Sequence, residues 1–143
     1  MLGKEVLAAL YAHAEAGAPE EVCGWLTDDT AAAGIVRCEN ELHARHAYRF
    51  TARDTMRLDA SLRSAAPACV VYHSHVDSDG AFSAEDVRAA AADGAPLWPV
   101  DWVVVEVRRG HARAARRYRW HDATFVLVEF HGTRAGARAS HSE

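Results

Sequence analysis

The run Cys69-Val70-Val71-Tyr72 is apolar at four consecutive positions. Successive strand residues face opposite sides, so a strand without polar alternation needs cover on both faces. That requirement points to a central strand in an α/β layer structure, with the rest of the chain supplying the neighbours and the cover.

Helical spacing surrounds this strand. Leu2, Val6, Leu10 and Ala14 recur every four residues until Gly17-Ala18-Pro19, which predicts an amphipathic helix with an ordinary terminator. Apolar stretches at residues 22–27 and 35–38 flank the turn-like Asp28-Asp29-Thr30 and read as two paired strands. Thr51 with Asp54 offers a capping box, after which Leu58, Leu62 and Ala65 line one face of a second helix closed by Pro67. Ser83 opens a third helix whose apolar positions are Val87, Ala90 and Ala91, with a stop at Asp93-Gly94. Strands are predicted near 101–107, 112–120 and 124–130, the first pair turned by Arg109-Gly110. The order implies a single α/β domain at 1–131 with a mixed β-sheet flanked by helices. Residues 132–143 are small, polar and unpatterned, and are expected to form a flexible tail.

Composition removes several classes. Of 143 residues, 50% are hydrophobic and 25% charged, which excludes a disordered chain, a collagen-like repeat and a coiled coil. No apolar run approaches the ~18 residues of a membrane-spanning helix. The N-terminal stretch carries charges where a signal peptide would be apolar, so a cytoplasmic protein without a membrane partner is expected. A net charge of -4 argues against a nucleic-acid partner held by phosphate neutralisation. Cys23, Cys38 and Cys69, odd in number and irregular in spacing, read as reduced thiols. The basic cluster Arg113, Arg116, Arg117 and Arg119, preceded by Arg108 and Arg109, reads as charge on an edge strand that discourages sheet-to-sheet pairing.

Chemistry concentrates in residues 72–86, YHSHVDSDGAFSAED. On a strand, His73 and His75 project together while Ser74 points away, which makes the two imidazoles a natural metal pincer. Asp86, at the first turn of the following helix, can return to the same place as a third ligand. Two histidines and one carboxylate leave a fourth position around zinc for water, the arrangement of a catalytic rather than a structural site. Ser83-x-x-Asp86 is equally a helix-capping signature, and Asp86 at a helix N-terminus is favourable without any metal. His43, His46, His111, His121 and His131 lack ligand spacing and read as surface or edge residues, while Trp98 and Trp102 read as core or rim packing.

His73-Ser74-His75, seven residues, Ser83, two residues and Asp86, with Glu21-Val22-Cys23-Gly24 upstream, resembles the full motif of the JAMM (MPN+) zinc metallopeptidases. The likeness extends over about residues 1–130. It implies a single JAMM/MPN domain with cytidine-deaminase-like layering and one Zn2+ per chain, bound by His73, His75 and Asp86 with a water. Acid-base work falls to Glu21, which the Glu-x-Cys-Gly spacing selects over Glu20, and stabilisation of the reaction intermediate falls to Ser83. Gly24 is expected to permit close backbone approach near the site. Val76 stands where many relatives place proline, so a looser loop is expected after the second histidine. Relatives of this minimal bacterial type act on the amide after the C-terminal Gly-Gly of a small ubiquitin-like protein, a sulfur carrier or a conjugated modifier. The same resemblance leaves a non-catalytic MPN-type interaction module and a DNA-repair-associated JAB-like protein as alternatives; the intact ligand set weighs against the first and the acidic balance against the second.

Overall fold

Every residue of Val70–Val76 is buried, and the strand they form is the third of six in the main sheet. The computed structural model describes residues 1–132. Along the chain these are α1 (Lys4–Gly17), β1 (Cys23–Leu26), β2 (Ile35–Cys38), α2 (Ala52–Leu62), β3 (Val70–Val76) and α3 (Ala84–Ala90). There follow β4 (Ala91–Ala92), β5 (Ala95–Pro96), β6 (Asp101–Arg108), β7 (His111–His121) and β8 (Thr124–Gly132). The main sheet runs β2-β1-β3-β6-β7-β8, with β3 and β6 parallel and every other neighbouring pair antiparallel.

The cover is supplied as the periodicities require. Val6, Leu10 and Ala14 of α1 pack with Val70, Tyr72, Val103 and Val105 on one face of the sheet. Leu58 of α2 and Ala90 of α3 pack with Trp25, Val71 and Trp102 on the other. The chain is therefore a mixed sheet with helices on both sides. No helix among the described residues is long and apolar enough to cross a membrane.

Several details depart from the expected elements. The second helix ends at Leu62, ahead of Ala65 and Pro67, where the Ser64 amide and hydroxyl both donate to the Ser61 carbonyl (3.0 and 2.7 Å) and compete with the helical ladder. Val87 is 39% exposed, and Ala91 leaves the third helix to pair in a two-residue hairpin turned by Asp93 and Gly94 at φ 54° and 77°. Val76 is the last residue of β3, paired with Val107, and the Asp77 amide donates to the Val107 carbonyl (2.7 Å), so the strand runs one residue past His75 before the loop begins. Gly132 ends β8, while residues 133–143, the remainder of the expected tail, lie outside the described residues.

The arginine cluster is not on an edge strand, because β7 lies between β6 and β8. Arg117 is buried, with its guanidinium 2.8 Å from Asp101, 2.9 Å from Asp29 and 3.5 Å from Glu129. Arg116 pairs with Glu106 (2.7 Å) and Arg119 with Asp101 (2.8 Å). Arg116 and Arg119 tie β7 to β6, and Arg117 joins β6, β7 and β8 to the loop between β1 and β2. Arg117→Met is expected to cost about 1–3 kcal/mol, since Asp101 keeps Arg119 while Asp29 and Glu129 lose a charged partner; urea unfolding of both proteins measures the loss.

Gly24 serves close approach on the face opposite the histidines. A Cβ there would lie 2.3 Å from the Val36 carbonyl oxygen and 2.6 Å from the Tyr72 hydroxyl. Gly24→Ala is expected to destabilise by roughly 1–3 kcal/mol through overpacking, read as a lower urea midpoint at unchanged slope.

Candidate metal centre

Strand alternation turns His73 and His75 to the face covered by α2 and α3, where both are buried. Ser83 caps α3: its Oγ accepts from the Asp86 amide (3.1 Å), and its own amide donates to Asp86 Oδ2 (3.0 Å). The capping box aims the Asp86 carboxylate back at the strand. Oδ1 lies 3.0 Å from His73 Nε2, Oδ2 lies 3.0 Å from His75 Nε2, and the two Nε2 atoms are 3.3 Å apart. The structure thus brings together all three residues expected to ligate metal. They are the one such cluster among the described residues.

The donor geometry fits zinc. Bonds of about 2.0–2.1 Å from a tetrahedral ion to nitrogen and oxygen place neighbouring donors about 3.3 Å apart; the two Nε2 atoms stand at that separation (3.3 Å), one Asp86 oxygen lies near each of them (3.0 Å), and a donor atom from all three residues falls within 4.8 Å of one another. The His75 Nδ1–H donates to the Asp79 carbonyl (2.7 Å), which leaves Nε2 as the nitrogen that would face a metal. His73 Nδ1 is buried and has no partner among the described residues.

Electrostatics follow from this packing. Burial pushes the Asp86 carboxyl up, but hydrogen bonds from both imidazoles outweigh it and hold the acid well below the ordinary carboxylate range. Burial lowers both histidines; it prevails at His73, whereas at His75 Asp86 and the Asp79 carbonyl overcome it and raise the pKa.

Glu21 is buried, and its backbone is held from several sides. Its amide donates to the Ala44 carbonyl (2.8 Å), and its carbonyl accepts from Asn40 Nδ2 (3.0 Å). The next amide, of Val22, donates to Ser74 Oγ (2.8 Å) between the two histidines. Glu20 turns outward toward His43 (3.5 Å). Burial pushes the Glu21 carboxyl up to about 8; Asp86 adds to the shift and His75 opposes it.

A raised carboxyl keeps its proton when folded but loses it when unfolded, so the metal-free protein loses stability as pH rises from about 4.5 to 8. His75 adds a loss in the same direction above its ordinary range, and His73, lowered, opposes it. Glu21→Gln isolates the glutamate: its advantage over the parent is expected to grow from near zero at pH 4.5 to a few kcal/mol at pH 8. Urea unfolding of both metal-free proteins across that range checks this, and parallel curves would contradict it.

Cys23 and Cys38 are cross-strand neighbours, both free. Burial raises both thiols, Cys38 to about 12, so neither is a ready thiolate at neutral pH.

Two contributors to the site carried no recognisable sequence signal. Asn40 is buried and uses its whole amide: Nδ2 donates to Glu21 and Ala47 carbonyls, and Oδ1 accepts from Leu42 and Arg49 amides. Tyr48 stacks on His73 with ring centroids 4.4 Å apart and planes at 19°. It also lines a cavity of about 460 Å³ beside the centre, together with Phe50, Asp86, Leu97 and Trp98. A lone asparagine and a tyrosine in an unpatterned loop look like any solvent-facing residues until the loop is folded.

A search of curated proteins finds no match. Among solved structures, the chain is similar to the solution structure of a Desulfitobacterium hafniense protein at 19% identity and TM-score 0.65, covering 90% of this chain and 88% of that one. It is also similar to the solution structure of a Salinibacter ruber protein at 28% identity and TM-score 0.58, covering 94% of this chain and 89% of that one. The pattern of the family described as prokaryotic homologs of the JAB domain matches residues 3–121, a span that contains β1, β3, α3 and all five motif positions. By that match and by its fold, the chain belongs to the prokaryotic JAB (JAMM/MPN) family, which includes both JAMM hydrolases and non-catalytic members.

Proposed function

We propose that this chain is a zinc-dependent peptidase or isopeptidase that cuts the amide bond after the C-terminal diglycine of a small ubiquitin-like protein. The observation that carries the reading is the convergence of His73, His75 and Asp86 at 3.0–3.3 Å, with buried Glu21 close enough for its carboxyl to feel the charges of His75 and Asp86.

Zinc held by these three residues would polarise the scissile carbonyl and bring the pKa of a coordinated water to about 7. Glu21 would accept a proton at its carboxylate and deliver it to the departing amine. A carboxyl lifted toward neutrality by burial suits a group that must do both, and a neighbouring cation draws it back toward ionisation. Ser83 reconciles two roles: its Oγ accepts from the Asp86 amide as a cap, which leaves its O–H to donate to a developing oxyanion. A glycine tail suits such a centre because an extended chain without side chains can approach the site closely. A cytoplasmic location belongs to this reading, in keeping with three free cysteines.

The direct test incubates the zinc-loaded protein with diglycine-ending ubiquitin-like substrates carrying a linear peptide, a lysine isopeptide or a carrier-cysteine amide, with products identified by mass spectrometry. Cleavage after the second glycine in at least one of them is the expected result. Intact substrates throughout, with zinc bound, would leave a metal-binding module in place of a hydrolase.

A further inference from the structure

The two imidazoles of the centre are held differently. His75 is oriented by the Nδ1–H hydrogen bond to the Asp79 carbonyl (2.7 Å), the usual way in which a protein fixes a ligating histidine. His73 lacks that support: its Nδ1 is buried without a partner among the described residues. Apart from Asp86 and His75 at its Nε2 side, the ring that lies flat against it is that of Tyr48, stacked at 4.4 Å and 19°; Phe82 is 6.3 Å away and tilted by 53°.

Tyr48 is itself held in place. Asn40 accepts from the Arg49 amide (3.2 Å) and donates to the Ala47 carbonyl (2.9 Å), pinning the backbone on both sides of the tyrosine. Phe50 bridges to Asn40 through the backbone and meets the Tyr48 ring edge-on at 5.9 Å. A ring fixed this way, flat against an imidazole, restricts that imidazole's rotation about its χ2 bond.

We infer that Tyr48 is a positioning residue for the metal centre: its stacked ring, in place of a hydrogen bond, sets the orientation in which His73 presents Nε2. The inference rests on the reading that His73, His75 and Asp86 hold zinc. It assigns the work to the aromatic plane and none to the phenol hydroxyl.

The test measures zinc affinity by competition with a chromogenic chelator, and the visible absorption of the cobalt(II)-substituted protein, for the parent and four variants. Tyr48→Phe is expected to bind zinc within threefold of the parent with the same cobalt spectrum. Tyr48→Ala is expected to bind about 10–100-fold more weakly, the range typical of lost support behind a ligand, with altered cobalt bands. Tyr48→Leu keeps bulk without a stacking plane and should show the same loss, which covers the case in which the alanine variant does not fold. Phe125→Leu removes a ring that packs on Phe82, Trp102 and Trp120, with no ring contact to Tyr48 or His73, and should stay within threefold.

Unchanged affinity in both Tyr48→Ala and Tyr48→Leu would overturn the inference, as would a Tyr48→Phe loss equal to that of alanine or a Phe125→Leu loss equal to that of Tyr48→Ala. A parent protein that takes up no zinc would instead overturn the metal centre, and this inference with it.

Discussion

Glu21→Gln is expected to retain one zinc per chain while cleavage after a diglycine falls by about 10²–10⁴-fold, the usual contribution of a positioned proton carrier. Glutamine preserves the shape of the side chain and removes only its capacity to take up and release a proton. The three residues expected to ligate zinc are elsewhere, on β3 and α3, and the backbone of residue 21 is held by Ala44 and Asn40 whatever side chain it carries. The measurement pairs the metal content of the purified variant with single-turnover cleavage at saturating substrate. A glutamine variant that cleaves at the parent rate would remove Glu21 from the mechanism. Loss of both metal and activity would show instead that the side chain supports the ion.

Asp86→Ala is expected to have the largest effect on the fold and the metal together. The carboxylate faces both imidazoles at 3.0 Å and accepts from the Ser83 amide at the start of α3, so its removal leaves two buried rings and a helix end without their acceptor. Loss of such interactions costs about 3 kcal/mol in total, allowing for their overlap. The variant should also retain no zinc through gel filtration. In the parent, zinc at a hundred times its dissociation constant adds about 2.7 kcal/mol to stability, and this increment should vanish in the variant. Asp86 has a depressed pKa, so its contribution to the metal-free protein is present above the ordinary carboxylate range and is lost in acid. The difference between parent and variant should therefore narrow toward low pH, and a constant gap would argue against an ionised Asp86.

Much of this arrangement was readable before folding, for reasons that differ residue by residue. The four-residue recurrence from Leu2 to Ala14 and the unbroken apolar run at Cys69–Tyr72 report burial directly, and both match the observed layers. The convergence at the centre was legible because strand alternation and helix capping each fix a side-chain direction locally, and His73, His75, Ser83 and Asp86 need nothing else to meet. The order of strands is not local. Arg113, Arg116, Arg117 and Arg119 cluster as charge on an edge strand would, yet β8 returns beside them and Arg117 is enclosed by carboxylates from three other segments. Asp122-Ala123 turns β7 into β8 with both residues at positive φ, 49° and 68°, without the glycine that normally marks such a turn. Asn40 and Tyr48 act through a loop whose path depends on the finished sheet, so no periodicity announces them.

Ser74, the residue between the histidines, faces the opposite side of the sheet and grips Val22 twice: its Oγ accepts from the Val22 amide (2.8 Å), and its amide donates to the Val22 carbonyl (3.1 Å). The spacing between Glu21 and the histidine pair is thereby written into adjacent backbones. Side chains that line the neighbouring cavity, such as Leu42, Leu97 and Trp98, lie outside this backbone frame, which leaves recognition free to diversify around a chemical unit of constant dimensions.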